Sequence, residues 1–269
     1  MLSKLVLIIL ILFPPVLDAM DVKEFRTIMD KVNASNFDPV EKFLKDNKAE
    51  LLKDPEYYVI LLNYSYAKGN KEQIVVAKGK PQKGDFALED KDTGEVVGFL
   101  GNRPNQDIEL ILKGISETQK ALSSFNNRLD IYFGIVHIAS LINRWDIVGT
   151  QLVEILRVSK AIDNQWKWGT INSMDDDPKK FMLENVQERV KQLFNAEKEE
   201  ADNALKTVAE AMIKEYPDVI YGYTNLGVLY LANNKLALAE KYLNQALTID
   251  PNDKIVLGNL RILKERKND

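Results

Sequence analysis

One segment near the end of the 269-residue chain places small, aromatic and aliphatic residues at fixed spacings. Gly227 and Ala239 lie on either side of a turn signal, Asn233-Asn234. We expect two antiparallel helices here, because side chains this small let two helices cross closely. Pro251 then ends the second helix. The full set of spaced positions is Tyr223, Leu226, Gly227, Tyr230, Ala239, Leu243, Ala246 and Pro251.

This spacing resembles the pattern of the tetratricopeptide repeat (TPR), which runs aromatic-x2-Leu-Gly-x2-Tyr, then Ala-x3-Phe, then Pro. As a whole, the chain resembles exported TPR-containing proteins of Gram-negative bacteria in its leader, its glycine-rich hairpin, its paired tryptophans and its C-terminal repeat. The resemblance implies stacked helix pairs that bind a protein or peptide, and it implies no particular reaction.

Most of the remaining chain has the apolar periodicity of amphipathic helices. A second helix pair is predicted around the turn Asn143-Arg144, although Val136 and Val148 stand where small residues are expected. The predicted fold class is all-α: stacked antiparallel helix pairs, forming a TPR-like α-solenoid, with a small β-hairpin insertion. The predicted divisions are a signal peptide at 1–19, N-terminal helical repeats at 20–77, the hairpin at 78–104, degenerate TPR-like repeats at 105–216, and the C-terminal TPR with a capping helix at 217–269.

The hairpin prediction depends on five glycines between Lys78 and Arg103, a density that argues against a helix. Two short apolar runs, 86–88 and 96–99, flank a turn signal at Asp92-Thr93-Gly94. This pattern predicts a β-hairpin inserted between two helices.

The first nineteen residues have the layout of a secretory signal. They contain a basic residue, Lys4, an apolar run, and a small residue, Ala19, after which we predict cleavage. The apolar run is too short to span a bilayer. We therefore expect an exported chain, periplasmic or secreted, without stable membrane insertion after cleavage. An uncleaved anchor or a buried helix is the alternative.

Composition restricts the chemistry that the chain can perform. A net charge of −4 argues against a nucleic-acid partner, which requires a basic surface. With no cysteine and a single histidine, His137, most hydrolase schemes lack parts, so neither catalytic residues nor a cofactor are predicted. Asp175-Asp176-Asp177 lacks the alternating ligands of a calcium loop and is interpreted as a helix cap before Pro178, so no metal site is predicted. A glycosidase with paired carboxylates stays open on composition alone.

Two sets of residues are candidates for binding a partner. By analogy with the TPR fold, the first helix of the repeat presents Tyr221, Thr224, Asn225 and Val228 to a concave groove. The alternative is that these residues pack against the neighbouring helix. Trp166 and Trp168 could form an aromatic ledge for a partner, or they could anchor a long connection onto the core.

The sequence thus predicts a non-enzymatic scaffold or adaptor of the cell envelope that binds a protein or peptide through its TPR helices. One alternative is a structural subunit of an envelope assembly, in which the hairpin pairs with a neighbour by strand addition. A less favoured alternative is an envelope hydrolase. The identity of the partner and the oligomeric state stay open.

Overall fold

The computed structural model describes residues 20–169, 174 and 177–268. The predicted signal peptide at 1–19, together with Asp175 and Asp176, lies outside the described residues. The described chain is mostly helical and contains one antiparallel sheet of three strands. None of its helices is both long enough and apolar enough to cross a membrane.

Twelve helices and three strands follow one another along the described residues. The helices are α1 (Val22–Asn33), α2 (Phe37–Asp46), α3 (Lys48–Leu51), α4 (Pro55–Gly69), α5 (Ile108–Ala121), α6 (Leu129–Leu141), α7 (Trp145–Ala161), α8 (Pro178–Asn195), α9 (Glu199–Glu215), α10 (Tyr221–Ala232), α11 (Leu236–Ile249) and α12 (Lys254–Asn268). The strands are β1 (Asn70–Ala77), β2 (Phe86–Glu89) and β3 (Val96–Gln106).

Several helix boundaries have simple local causes. Before α8, the Asp177 carboxylate accepts a hydrogen bond of 2.9 Å from the Lys180 backbone N–H, and Pro178 occupies the first helical position. The interpretation of this aspartate as a helix cap is confirmed. The turns between α6 and α7 and between α10 and α11 each contain an asparagine with positive φ, Asn143 at 56° and Asn234 at 54°. Both turns fall where the sequence predicts them.

The helices pack around three clusters of buried apolar residues. The largest cluster runs from α4 to α10, and smaller ones join α1 and α2 to α4 and join α10 to α11 and α12. Because α4 and α10 each contribute to two clusters, they link the smaller cores to the central one. In the central cluster, α7 packs closely on α9, and a Cβ atom built on Gly149 would lie 2.8 Å from the Cβ of Ala204.

The sheet is inserted where the turn of a helix pair would be. Helices α4 and α5 run antiparallel and approach so closely that a Cβ atom on Gly114 would lie 2.4 Å from the Cβ of Ser65. At the end of this pair, the Asp107 backbone N–H donates a hydrogen bond of 2.8 Å to the Gly69 carbonyl. All three strands lie between these two residues in the chain, so the sheet is an extension of the α4–α5 pair.

The sheet differs from the predicted hairpin. Strands β2 and β3 form the expected antiparallel pair, but β1 also pairs with β3, which gives the strand order β1-β3-β2. Strand β1 occupies Asn70–Ala77, which the sequence analysis assigned to the N-terminal helices. The prediction of only two strands was therefore wrong. The β-branched run Ile74-Val75-Val76 favours a strand, but a run this short cannot be separated from a helix by periodicity.

A buried ion pair joins the N-terminal helices to the central core. The Arg128 guanidinium lies 2.8 Å from the Glu56 carboxylate and 2.8 Å from the Asp130 carboxylate, and the Arg128 and Glu56 side chains are 6% and 4% exposed. Burial raises the pKa of the Glu56 carboxyl, and the charge of Arg128 opposes that shift. Arg128 therefore compensates a charge that is costly to bury.

We predict that Arg128→Met lowers the free energy of unfolding by about 3–5 kcal/mol, because it leaves the Glu56 charge buried without a partner. The double variant Glu56→Met/Arg128→Met should recover the part of that loss that comes from Glu56, since apolar side chains need no compensation, whereas Asp130, at 15% exposure, still lacks its partner. Urea denaturation of the wild type and the variants provides the measurement. A double variant no more stable than Arg128→Met would contradict this explanation.

Helix crossing in the C-terminal pair gives a second prediction. A Cβ atom on Gly227 of α10 would lie 2.7 Å from the Leu243 side chain of α11, whereas one on Gly258 of α12 would meet nothing within 4 Å. Gly227→Ala should lower the free energy of unfolding by about 1–3 kcal/mol. Gly258→Ala should raise it by up to about 1 kcal/mol, because alanine stabilises a helix relative to glycine. Equal effects of the two substitutions in thermal unfolding would refute the close crossing.

Candidate functional site

The candidate site is a groove between α8 and α10. The four residues predicted on α10, Tyr221, Thr224, Asn225 and Val228, all line one wall of this groove. Their spacing of three, four and seven residues places them on one face of the helix. The opposite wall comes from α8, where the same spacing is repeated by Glu184, Gln187, Glu188 and Lys191.

The start of α12 completes the groove. Asp253 and Ile255 contribute to its lining, and the volume of the groove is about 630 Å³. This volume lies within the range of about 300–1,000 Å³ that is typical of small-molecule and cofactor sites. The groove is partly open to solvent. Helix α8 belongs to the α8–α9 pair, α10 belongs to the α10–α11 pair, and α12 is the capping helix.

Asn225 holds the two walls together. Its side-chain amide exchanges two hydrogen bonds with the amide of Gln187, at 2.9 and 3.0 Å, and only 3% of Asn225 is exposed. Asn225 therefore lies at the floor of the groove, and its hydrogen-bonding groups are occupied by α8. Among the four predicted residues, Asn225 is therefore the one that packs against the neighbouring helix. Sequence analysis missed Gln187, although its place on the apolar-spaced face of α8 was a usable signal.

Thr224 differs from Asn225 in its hydrogen bonding. Its hydroxyl oxygen is enclosed, yet within the described residues it makes no hydrogen bond. A buried hydroxyl without a partner costs free energy, and because this oxygen is enclosed it offers no contact to a ligand in this conformation. Tyr221 and Val228, one turn to either side, are half-buried and supply apolar surface.

The groove has an acidic character. Glu184, Glu188 and Asp253 line it, against a single cation, Lys191. Lys191 forms an ion pair with Glu188, and both side chains are more than half exposed. The Asp253 carboxylate accepts a hydrogen bond of 2.8 Å from the Val256 backbone N–H at the start of α12. The excess of carboxylates favours a ligand that has basic side chains or N–H donors.

The two tryptophans do not form an exposed ledge. Trp166 is 5% exposed, its indole N–H donates a hydrogen bond of 2.8 Å to the Ser159 hydroxyl, and its ring meets Tyr132 edge-to-face at 5.5 Å. Trp168 is half-buried between Phe133 and Phe181. The ledge hypothesis is therefore wrong for Trp166, which anchors the connection after α7 onto the core. Neither tryptophan lines the groove.

Other candidate chemistry is sparse in the described part of the chain. His137 lies exposed on α6, and the described residues contain no cluster of three histidine, aspartate or glutamate side chains that could hold a metal ion. The Asp175 and Asp176 carboxylates lie outside the residues that the structure describes.

The positions of the spaced motif pack as its residue types suggest. Leu226, Ala239, Leu243 and Ala246 are fully buried. Tyr223 and Tyr230 are half-buried at the edge of this contact, and Pro251 follows the end of α11.

A tetratricopeptide repeat family model matches residues 220–253. The chain contains a tetratricopeptide repeat. The repeat covers α10, α11 and the turn that leads to α12, so α10 of the repeat supplies one wall of the groove. A search of curated proteins finds no match to the chain.

The anchoring role of Trp166 can be tested by stability. We predict that Trp166→Ala lowers the free energy of unfolding by about 3–5 kcal/mol, as expected for a large side chain removed from a core. Trp166→Phe keeps one aromatic ring but loses the second ring and the hydrogen bond to Ser159, so it should cost about 1–3 kcal/mol, less than Trp166→Ala. Chemical denaturation followed by circular dichroism measures both values. A cost below about 1 kcal/mol for Trp166→Ala would show that the side chain is not an anchor.

Proposed function

We propose that this protein is a non-enzymatic scaffold or adaptor that binds a segment of another protein in the groove between α8 and α10. The observation that carries the proposal is the pair of matching faces. Four residues on each helix, at the same spacing, line the two walls of an open groove, and the Asn225–Gln187 amide pair joins the walls at its floor. A tetratricopeptide repeat, which forms one wall, is a common module for protein interaction.

The groove also suggests the chemistry of the ligand. Its carboxylates on α8 and α12 complement a basic segment, and the apolar surface of Tyr221 and Val228 complements an aliphatic or aromatic side chain. The acidic balance of the whole chain argues in the same direction, against nucleic acid as the partner. We therefore propose a basic, partly apolar peptide segment as the ligand class.

Two further parts of the proposal concern architecture and location. We propose that the helix pairs stack as an α-solenoid, in which the contacts of α4 with α5, α6 with α7, α8 with α9 and α10 with α11 are successive layers. The apolar leader supports export to the cell envelope, with cleavage after Ala19.

A second candidate function is a structural subunit of an envelope assembly. It is favoured by the sheet, which extends from the α4–α5 pair and exposes large apolar side chains such as Ile74 and Phe86. This candidate and the adaptor use different surfaces, so one protein can combine them.

Site-specific photo-crosslinking tests the groove. A photoreactive phenylalanine analogue at Val228 should capture a partner in cells, whereas the same analogue at Leu238, exposed on α11, should not. With the captured partner purified, Thr224→Arg should weaken binding at least about tenfold, because the long side chain fills the groove. Thr248→Arg, on an exposed surface of α11 that does not line the groove, is the matched control and should bind like the wild type.

A second variant separates binding from folding. Glu184 and Glu188 are exposed on α8, and surface ion pairs such as Glu188–Lys191 contribute only about 0–1 kcal/mol. Glu184→Lys/Glu188→Lys should therefore change thermal unfolding little and weaken a basic partner, most strongly at low salt. Unchanged affinity in both groove variants would refute binding at this site.

A further inference from the structure

One face of the sheet is partly covered by the end of its own crossover connection. The segment 78–85 leads from β1 to β2, which lie on opposite sides of β3. Its last residue, Asp85, forms a two-pronged ion pair with Arg103 of β3, at 2.6 and 2.8 Å, and lies against Gly101, where a Cβ atom would clash with the carboxylate. The Arg103 guanidinium also stacks on the Phe99 ring at 4.6 Å. This hydrogen bonding lowers the pKa of Asp85 to about 2.

The other face of the sheet is apolar and uncovered. The register places Phe86 opposite Leu100, and Leu100 opposite Val76, so these three side chains form a row across the strands. Ile74 follows two residues along β1 on the same face. Phe86, Ile74 and Val76 are 72%, 72% and 65% exposed.

Strand β1 is also an open edge of the sheet. It pairs only with β3 among the described strands. Because the Asp107 N–H bonds to the Gly69 carbonyl and the pattern alternates along an antiparallel pair, odd-numbered residues of β1 bond to β3. The N–H and C=O groups of Glu72, Ile74 and Val76 therefore point to the open side.

The central part of this edge lacks the features that usually prevent another strand from pairing with it. From Gln73 to Ala77 it has no charge, no proline and no bulge, and three consecutive residues are β-branched. An edge of this kind is a template for another strand, and folded proteins normally cover it. The sequence of the edge itself indicates which strand would fit.

We propose that β1 pairs antiparallel with β1 of a second copy of this chain, with Val75 on the twofold axis, so that the two sheets join into one of six strands. In this register Ile74 faces the second copy's Val76, and Glu72 faces the second copy's Lys78. The twofold axis produces each of these pairs twice. Cross-strand pairs of opposite charge and of β-branched residues both stabilise a sheet.

The neighbouring registers fit less well. With the axis at Val76, Glu72 faces Lys80 of the second copy, which lies three residues beyond the end of β1 at Ala77. A shift of the axis to Ile74 places Glu72 opposite Val76 of the second copy, and Lys78 opposite Asn70, so both ion pairs are lost. In the proposed register, the apolar row of Phe86, Leu100 and Val76 continues into Ile74 of the second copy. Charge complementarity and the apolar row thus select the same alignment.

A single cysteine tests the alignment, because the chain has no cysteine of its own. On the axis, the two Val75 Cα atoms form a non-hydrogen-bonded pair about 4.5 Å apart, within the range for a disulfide. Protein purified from cells that express the full chain with Val75→Cys should become a covalent dimer on mild oxidation. Gln73→Cys lies on the same face of the same strand, but its two copies are about 13 Å apart, so it should stay monomeric in denaturing electrophoresis.

Charge exchange tests the same interface without crosslinking. Glu72→Lys and Lys78→Glu each place like charges together twice, so each should raise the dissociation constant of the dimer about tenfold or more in analytical ultracentrifugation. The double variant Glu72→Lys/Lys78→Glu should return it to the wild-type value. Both residues are exposed in the monomer, so unchanged circular dichroism serves as the folding control.

Three results would overturn the proposal: a wild-type protein that sediments as a monomer at every concentration, Gln73→Cys crosslinking as well as Val75→Cys, or a double variant no tighter than the single ones. None of these results bears on the groove between α8 and α10, because β1 does not contribute to it.

Discussion

The architecture depends on close contacts between helices, and a glycine makes several of these contacts possible. Gly114 meets Ser65 between α4 and α5, Gly149 meets Ala204 between α7 and α9, and Gly227 meets Leu243 between α10 and α11. In each case an added Cβ atom would lie within 3 Å of the facing side chain. Because protein interiors are close-packed, the helix axes at these points are fixed by the absence of a side chain. The sheet, which extends from the α4–α5 pair, is positioned by the first of these contacts.

The amount of structure that the sequence predicts varies along the chain for physical reasons. The C-terminal repeat is recognisable because Gly227, Ala239 and the Asn233-Asn234 turn occur together at one spacing, and the structure has that helix pair. The α6–α7 pair is harder to predict. A small residue is expected at position 148, which is a valine, and the small residue of α7 is the next one, Gly149. Its partner is α9. Sequence spacing within one helix pair therefore could not reveal this contact, which is made between pairs.

Two other features show where local sequence is insufficient. Whether Trp166 is a surface residue or an anchor depends on Ser159 and Tyr132, which only the fold brings close. Similarly, the groove face on α10 could be inferred from helical spacing, but the pairing of that face with α8 could not. The Gln187–Asn225 amide pair spans 38 residues of sequence and sets the distance between the walls. It also explains why Asn225, the most polar of the predicted contacts, is buried at the floor.

The hydrogen bond between Asp107 and Gly69 marks the boundary between the helical part of the molecule and the sheet, and the two parts are stabilised by different contacts. On one side, α4 and α5 complete their contact as any helical hairpin does, and their packing does not depend on the length of chain between them. On the other side, the strands have only one another and their crossover connection. The sheet is therefore a separate module. Its length and its surface can change in evolution, or be exchanged in the laboratory, while the helices keep their packing.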